Sequence, residues 1–313
     1  ENVAVLLGPG INIKRSPLCG RNFEYFSEDP IVSGVLGTAI VRGIQSQGVG
    51  TSLKHFAANN QEEDRMRISS DVDPRPLREI YLRGFERVVK DAQPWTVMCA
   101  YNKINGVYAS EDPWLLTQVL RDDWGYDGVV VSDWGAVNDR VKGLPAGLDL
   151  EMPSSNGVTD RQLVAAVHDG SLDEAALDVA AQRVIDLVEK AQAGAGRVSG
   201  PLDVDQQHAL AREAAGRSAV LLQNQEGLLP LRRDAKLAVV GAFAEKPRYQ
   251  GAGSSMINPT RLDDALTAIR AAAGGDVAYA AGFSVAPGAT DAEQTALREE
   301  AVAAASGVDT VVL

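Results

Sequence analysis

Short apolar runs that break off at polar residues recur along the first half of the chain, with helix-like stretches between them. This alternation limits the fold more than any other feature. Residues 3–8 halt at Pro9, 51–53 at Lys54 and His55, 96–100 at Tyr101 and Asn102, and 148–150 at Glu151. The most pronounced run is 128–136, G-V-V-V-S-D-W-G-A. Val129, Val130 and Val131 lack polar alternation, as in a strand buried on both faces, and Ser132, Asp133 and Trp134 follow at its carboxyl end. In parallel α/β architectures that rim is where chemistry is done. An Asp ahead of Gly-Ala is equally an ordinary helix cap. Membership in a repeated set favours the rim reading for Asp133.

Between the runs lie helices. Val32, Val35, Leu36, Ala39, Ile40 and Ile44 follow i, i+3, i+4 spacing, and Gly48 closes that stretch. Leu77, Ile80, Tyr81, Phe85, Val88 and Val89 repeat the pattern after Pro74 and Pro76. Leu115, Leu116, Val119 and Leu120 form a third stripe between Asp112-Pro113 and Gly125. A strand at 147–153 leads to helices at 159–169 and 172–193, the second opened by a capping box, Ser171-x-x-Glu174. Strand and helix in alternation argue for right-handed βαβ units around a parallel sheet. Residues 193–201, A-G-A-G-R-V-S-G-P, then read as linker. A helix at about 205–224, strands at 236–241 and 276–279, helices from Leu262 and Asp291, and a strand from Val308 open a second α/β domain. The predicted fold is therefore α/β: βαβ units around a parallel sheet over 1–192, a linker over 193–204, and the start of a second α/β domain over 205–313.

At 313 residues, one large barrel or two domains are the leading options. Because strand-like runs stand at both ends, the chain reads as a piece of a longer protein, so missing targeting signals decide nothing about compartment. With its opening strands absent, such a barrel exposes strand edges and apolar faces, and residues 1–313 alone are expected to aggregate. Thirty Lys and Arg against 42 Asp and Glu give a formal charge of −12. That disfavours nucleic acid and anionic membrane as partners, since both require a basic footprint. No run approaches a membrane span. Cys19 and Cys99 form no C-x-x-C, and His55, His168 and His208 show no ligand spacing, so neither a disulfide framework nor a metal site is indicated. The Gly-rich loop 251–255 lacks G-K-[ST] and G-x-G-x-x-G, which argues against nucleotide. No cofactor is implied.

Lys54-His55 at a strand end is followed by F-A-A-N-N-Q-E-E, too polar and Asn-rich for a simple βα turn. Amide side chains beside a lysine point to a hydroxyl-rich ligand. Arg67 reads as a solvated charge, and Asn105-Gly106 as a structural turn. Tyr101 at its strand end is expected to donate to Asp133 and hold that carboxylate's orientation.

These segments also carry a family resemblance. Gly20-Arg-Asn-Phe-Glu-Tyr-Phe-Ser-Glu-Asp-Pro30, Lys54-His55-Phe56, Val97-Met-Cys-Ala-Tyr-Asn102 with Asn105-Gly106, Val131-Ser-Asp-Trp134 and Gly147-Leu-Asp-Leu-Glu-Met-Pro153 resemble glycoside hydrolase family 3, the β-glucosidase type. Ala219-Val-Leu-Leu-Gln-Asn224, Leu228-Leu-Pro-Leu231 and the loop 251–255 resemble that family's second domain. The resemblance implies a partial (β/α)8 TIM-like barrel over 1–192 followed by the start of an α/β sandwich domain over 205–313, and a retaining exo-acting β-glycosidase in which Asp133 is the nucleophile. It implies Trp134 as a sugar platform and Arg21, Lys54, His55 and Arg65 as hydrogen-bonding residues of the first subsite. Tyr101 and Met98 would line the pocket, and Ser254 would reach toward the sugar from the second domain. Asp149 and Glu151 would support rather than catalyse.

Two departures stand out. A sugar-binding Asp of the family precedes this chain, and the general acid/base Glu lies beyond it; Glu62 and Glu63 are not nominated in its place. Asn59-Asn60-Gln61 replaces the Asp-His pair of the N-acetylglucosaminidase branch. The expected partners are a β-glucoside or oligosaccharide substrate and the rest of the polypeptide, with homo-oligomerisation left open. β-Xylosidase activity, a Schiff-base Lys54 as in an aldolase, and a non-catalytic sugar-binding α/β protein remain as alternatives.

Overall fold

The computed structural model describes residues 3–196, 200–250 and 253–313. The chain divides into two compact units, Glu1–Gly200 and Pro201–Leu313.

In the first unit, β1 (Val5–Leu6), β2 (Gly50–Phe56), β4 (Thr96–Cys99) and β7 (Val129–Ser132) form a parallel sheet in the order β1-β2-β4-β7. Its register pairs Val5 with Gly50, Ser52 with Thr96, and Thr96 with Val129. Gly50 and Gly128, where β2 and β7 begin, sit against Trp95: a methyl group would lie 2.4 Å from its ring at Gly50 and 2.6 Å from its carbonyl at Gly128. Both positions therefore require glycine. A small three-stranded sheet is built from β3 (Ser69–Ser70), β5 (Lys103–Ile104) and β6 (Val107–Tyr108). The expected strand at 147–153 is reduced to a single bridge between Val131 and Leu150. Backbone bonds still tie the segment to β7, from the Asp149 and Leu150 amides to the Val130 carbonyl and from the Ser132 amide to the Leu150 carbonyl. Side chains add to them: Ser132 Oγ donates to the Met152 carbonyl and accepts from its amide, and Asp149 is bound by two arginines.

Helices pack around the sheet. Asp29 caps α1 (Pro30–Ser46), accepting from the Ile31 and Val32 amides, with Pro30 in the first turn. After α2 (Pro74–Pro76) and a π-type turn, α3 (Arg83–Ala92) packs on α1. The apolar stripe of α1 is not its buried face. Ser33, Gly34, Gly37, Thr38 and Val41 are buried, whereas Val32, Val35, Leu36 and Ile40 are exposed. Small residues let the two backbones approach: a methyl group on Gly37 would stand 3.0 Å from Ile11 and Val88. The π-type helix Trp114–Asp123 buries Leu115, Leu116, Val119 and Leu120, as their spacing predicts, and Asp112 caps it. The core joins these leucines to Leu53, Val97, Val130 and Phe56, whose ring meets Phe85 at 5.3 Å and Trp124 at 5.8 Å.

The helices α4 (Arg140–Ala146), α5 (Val158–His168) and α6 (Glu174–Gly194) pack through Leu144, Leu163 and Ala180. The Ser171 capping box does not form. Asp173 caps α6 through the Ala175 amide while Ser171 Oγ donates to Ala166, because the helix opens at Glu174, too late for that side chain to reach back. The segment read as linker overlaps the last turn of α6, and residues 197–199 lie outside the described residues.

The second unit holds α7 (Val204–Ser218) and a parallel sheet in the order β10-β8-β9, from β8 (Leu237–Val240), β9 (Val277–Ala280) and β10 (Thr310–Val312), with α8 (Ala265–Ala272) and α9 (Asp291–Ala305). The helix expected to reach Asn224 stops at Ser218. Ala219 turns extended, and the apolar run 219–222 with β-branched Val220 follows as exposed non-helical chain. Of the loop 251–255, residues 251 and 252 lie outside the described residues; Gly253–Ser255 is one 3-10 turn.

Candidate active site

The residue following β7 is Asp133, buried at 7 % exposure. Gly135, at φ 79°, lets the chain turn back so that the Ala136 amide bonds to the Asp133 carbonyl. Asp133 Oδ1 accepts from the Trp134 amide at 2.7 Å, while Oδ2 has no hydrogen-bond partner among the described residues. Trp134 itself is 39 % exposed beside it. Tyr101 does not take the expected bond. Its hydroxyl donates to the Trp134 carbonyl at 3.1 Å, because the turn after β7 places that carbonyl in the path of the phenol. Burial and the charge of Asp133 push the phenol up to about 12, so it remains a donor.

Strand β2 delivers Lys54 and His55. Asn12 holds the His55 backbone on both sides, accepting from its amide at 2.8 Å and donating to its carbonyl at 2.9 Å. The imidazole is fully buried, with Nδ1 3.2 Å from the Tyr25 hydroxyl and Nε2 3.6 Å from Asp133 Oδ2. The 3-10 turn Asn22–Glu24 sets Arg21 and Glu24 three residues apart, and Glu24 pairs with both Arg21 Nε and, at 3.4 Å, Lys54 Nζ. Arg21 Nη1 reaches to 3.9 Å from Asp133 Oδ2. Arg65 stacks 4.4 Å over the Tyr101 ring and pairs with Glu62 at 2.8 Å.

Three cations, Arg21, Lys54 and Arg65, thus stand among three carboxylates, Glu24, Glu62 and Asp133. Burial opposes the charge of Arg21, but its bond to Glu24 and the anionic neighbours outweigh that and hold its pKa above the ordinary value. His55 is pushed the other way: burial first, then Arg21, Lys54 and Arg65, keep it neutral.

The structure therefore gathers Arg21, Lys54, His55, Arg65, Tyr101 and Trp134 around Asp133. Met98 is buried within β4, in register with Val131, and Ser254 belongs to the exposed 3-10 turn of the second unit. Arg67 pairs with Asp64 on the surface, and Asn105, at φ 49°, bonds the Val72 backbone in the turn with Gly106. Asp149 accepts from Arg121, Arg183 and the Val130 amide, a wholly structural set of partners, and Glu151 accepts from Thr159. Sequence reasoning left Glu24, Tyr25 and Asn59 unnominated. For Glu24 there was a signal, its position three residues after Arg21, and for Asn59 its place in the Asn-rich run three residues before Glu62; for Tyr25, whose partners His55 and Asn59 lie 30 and 34 residues away, there was none. No group of three His, Cys, Asp or Glu side chains among the described residues is placed to hold a metal. No helix among them is long and apolar enough to cross a membrane.

Comparison with known proteins gives this arrangement a context. The chain is 54 % identical over its whole length to a protein named thermostable beta-glucosidase B from Acetivibrio thermocellus, covering 41 % of that protein. It is 51 % identical, again over its whole length and 42 % of the relative, to an exo-alpha-(1->6)-L-arabinopyranosidase of Bifidobacterium longum. Among solved structures, the Bifidobacterium adolescentis GH3 beta-glucosidase superposes with a TM-score of 0.87 at 52 % identity, over 99 % of this chain and 45 % of that one. The chain thus spans about two fifths of the length of these curated relatives. Residues 2–187 match the model of the glycosyl hydrolase family 3 N terminal domain, a TIM-barrel-like α/β fold, and 219–313 that of the C-terminal domain. With both models matched in order and the sheet's carboxyl rim occupied as described, the chain belongs to glycosyl hydrolase family 3.

Proposed function

We propose that the protein carrying this chain is a retaining exo-acting β-glycosidase that releases terminal β-D-glucosyl residues, with Asp133 as nucleophile. The observation that carries this reading is the state of Asp133. One oxygen is fixed by the Trp134 amide, and the other is free of hydrogen bonds and faced by His55 and Arg21. A carboxylate oxygen held in place beside cationic and N–H groups, yet not taken up by a hydrogen bond, suits attack on an anomeric carbon.

In that reaction Oδ2 bonds to the anomeric carbon as the glycosidic C–O bond breaks, and the leaving oxygen takes a proton from a general acid. Water, deprotonated by the same group, then cleaves the glycosyl ester with net retention. Such an acid stands about 5–5.5 Å from the nucleophile. Glu24 and Glu62 are each engaged with cations of the site. We assign the acid/base to polypeptide outside this chain, in line with the greater length of the relatives. Arg21, Lys54, His55 and Arg65 supply converging donors for sugar hydroxyls, Trp134 a stacking face, and Met98 and Tyr101 pocket wall.

The pairing of Lys54 with Glu24 argues against the Schiff-base alternative, which calls for a lysine set apart in an apolar pocket or beside another cation. The arabinopyranosidase relative favours a second reading within the same mechanism. An α-L-arabinopyranoside presents an equatorial anomeric bond like that of a β-D-glucoside but lacks the hydroxymethyl group. β-Xylosides likewise lack it.

Incubating the complete protein with a 2-deoxy-2-fluoro-β-glucoside and mapping peptides by mass spectrometry tests the proposal. An adduct on Asp133 is expected. No adduct in folded protein overturns the glucosidase reading, and parallel aryl α-L-arabinopyranoside and β-xyloside assays then separate another sugar from a non-catalytic binding protein.

A further inference from the structure

Asp133 Oδ2 and the nitrogen facing it, His55 Nε2, are both buried and without a hydrogen-bond partner among the described residues. What they can do depends on which imidazole nitrogen carries the proton, and a chain of side chains behind the ring answers that.

The chain starts at the rim. Arg65 Nη1 binds Glu62 Oε2 at 2.8 Å, and Glu62 Oε1 lies 3.3 Å from Asn59 Nδ2. An ionised carboxylate only accepts, so the amide must turn its NH2 toward Glu62; the flipped amide would set oxygen against oxygen. The same NH2 lies 3.5 Å from the Tyr25 oxygen, which therefore accepts from it. The single phenolic proton is left to point at His55 Nδ1, 3.2 Å away. Both groups keep the forms this needs: burial raises the Tyr25 pKa, and burial with three neighbouring cations lowers that of His55. A neutral ring that accepts at Nδ1 carries its proton on Nε2.

We infer that Tyr25, oriented by Asn59, is a positioning residue that fixes His55 as the Nε2–H tautomer, aiming an N–H rather than a lone pair at Asp133 and the sugar site. The inference rests on the glycosidase reading only for its kinetic consequence. With the other tautomer, a nitrogen lone pair would face the carboxylate. The Nε2–H form favours the ionised nucleophile and keeps a donor ready for a sugar hydroxyl. The lone-pair form does neither.

The test uses the complete protein with 15N-histidine labelling, the His55 signal being identified by its loss in a His55→Asn variant. At neutral pH the unmodified protein is expected to show protonated Nε2 and bare Nδ1. Tyr25→Phe removes the donor to Nδ1 and is expected to yield a tautomer mixture, with kcat/KM for an aryl β-glucoside down roughly tenfold, the scale of one lost hydrogen bond. Asn59→Asp replaces the donor with an acceptor, draws the phenolic proton away from His55, and is expected to move the tautomer in the same direction. Protonated Nδ1 in the unmodified protein overturns the inference, as does an unchanged tautomer in both variants. The nitrogen shifts need no substrate. A protein that turns over no glycoside but shows Nε2–H would refute the glycosidase reading and leave the tautomer assignment standing.

Discussion

Nη2 of Arg121 donates to Oδ2 of Asp149 at 2.7 Å, and both side chains are almost wholly excluded from solvent. Arg183 of α6 binds the other oxygen, and Arg121 also donates to the carbonyls of Gly128 and Gly147. This knot ties the start of β7 to the segment behind it and to an outer helix. Asp149→Ala strands two guanidinium groups, one of them buried. Removing one partner of a buried pair costs about 3–5 kcal/mol, so a loss of that order is expected in urea unfolding of the complete protein. The fraction that remains folded, counted by fluoroglucoside titration, should keep a near-normal kcat.

Glu24 joins Arg21 to Lys54. Glu24→Gln removes the charge that aligns both cations while preserving shape. If the two act on the ground-state sugar, KM for aryl β-glucosides should rise about tenfold, equivalent to one charge-assisted bond, with a smaller change in kcat. An unchanged KM would remove Arg21 and Lys54 from the sugar site.

His55 carries a pH signature. Its pKa in the fold lies well below the ordinary 6.5, so between those two values the unfolded chain binds the additional proton. The stability linked to His55 is accordingly complete above about pH 6.5 and is lost as pH falls toward the folded-state pKa. The limiting slope is about 1.4 kcal/mol per pH unit for one proton. Denaturant midpoints measured from about pH 7 down to pH 5 should show this decline in the unmodified protein. In His55→Asn the decline should be shallower by up to that amount.

Val32, Val35, Leu36 and Ile40 form a contiguous exposed apolar row on α1, and Leu6 and Leu7 are exposed at the sheet's β1 edge. Such surfaces associate in water. Residues 1–313 expressed alone should form soluble aggregates or precipitate, seen as light scattering or void-volume elution. A monodisperse monomer that unfolds cooperatively would contradict this. Leu36→Glu in the isolated chain should reduce the association.

Asp133 was legible because its signal is local: a β-branched run followed by a carboxylate and a glycine specifies a strand end and what it presents. Helix α1 was legible as a helix, yet its inner face was not, because close packing selected Ser33, Gly34 and Gly37 over the larger stripe. Lys54 and Arg21 could be nominated one at a time. That a single carboxylate, Glu24, serves both was hidden, since the strand and the turn come from separate parts of the chain.

By itself, then, the sequence determined the alternation of strands and helices, the positions of strand ends and the residue types placed there, because backbone preference and side-chain periodicity act over a few neighbours. Only the tertiary structure decided that Tyr101 bonds the Trp134 carbonyl, that Asp149 is clamped by two arginines, and that a line of polar contacts runs from Arg65 through Glu62, Asn59 and Tyr25 to His55. A hydrogen bond depends on distance and direction within a few tenths of an ångström, and the packing of β2, β7 and the turn at Arg21 sets those for residues remote along the chain.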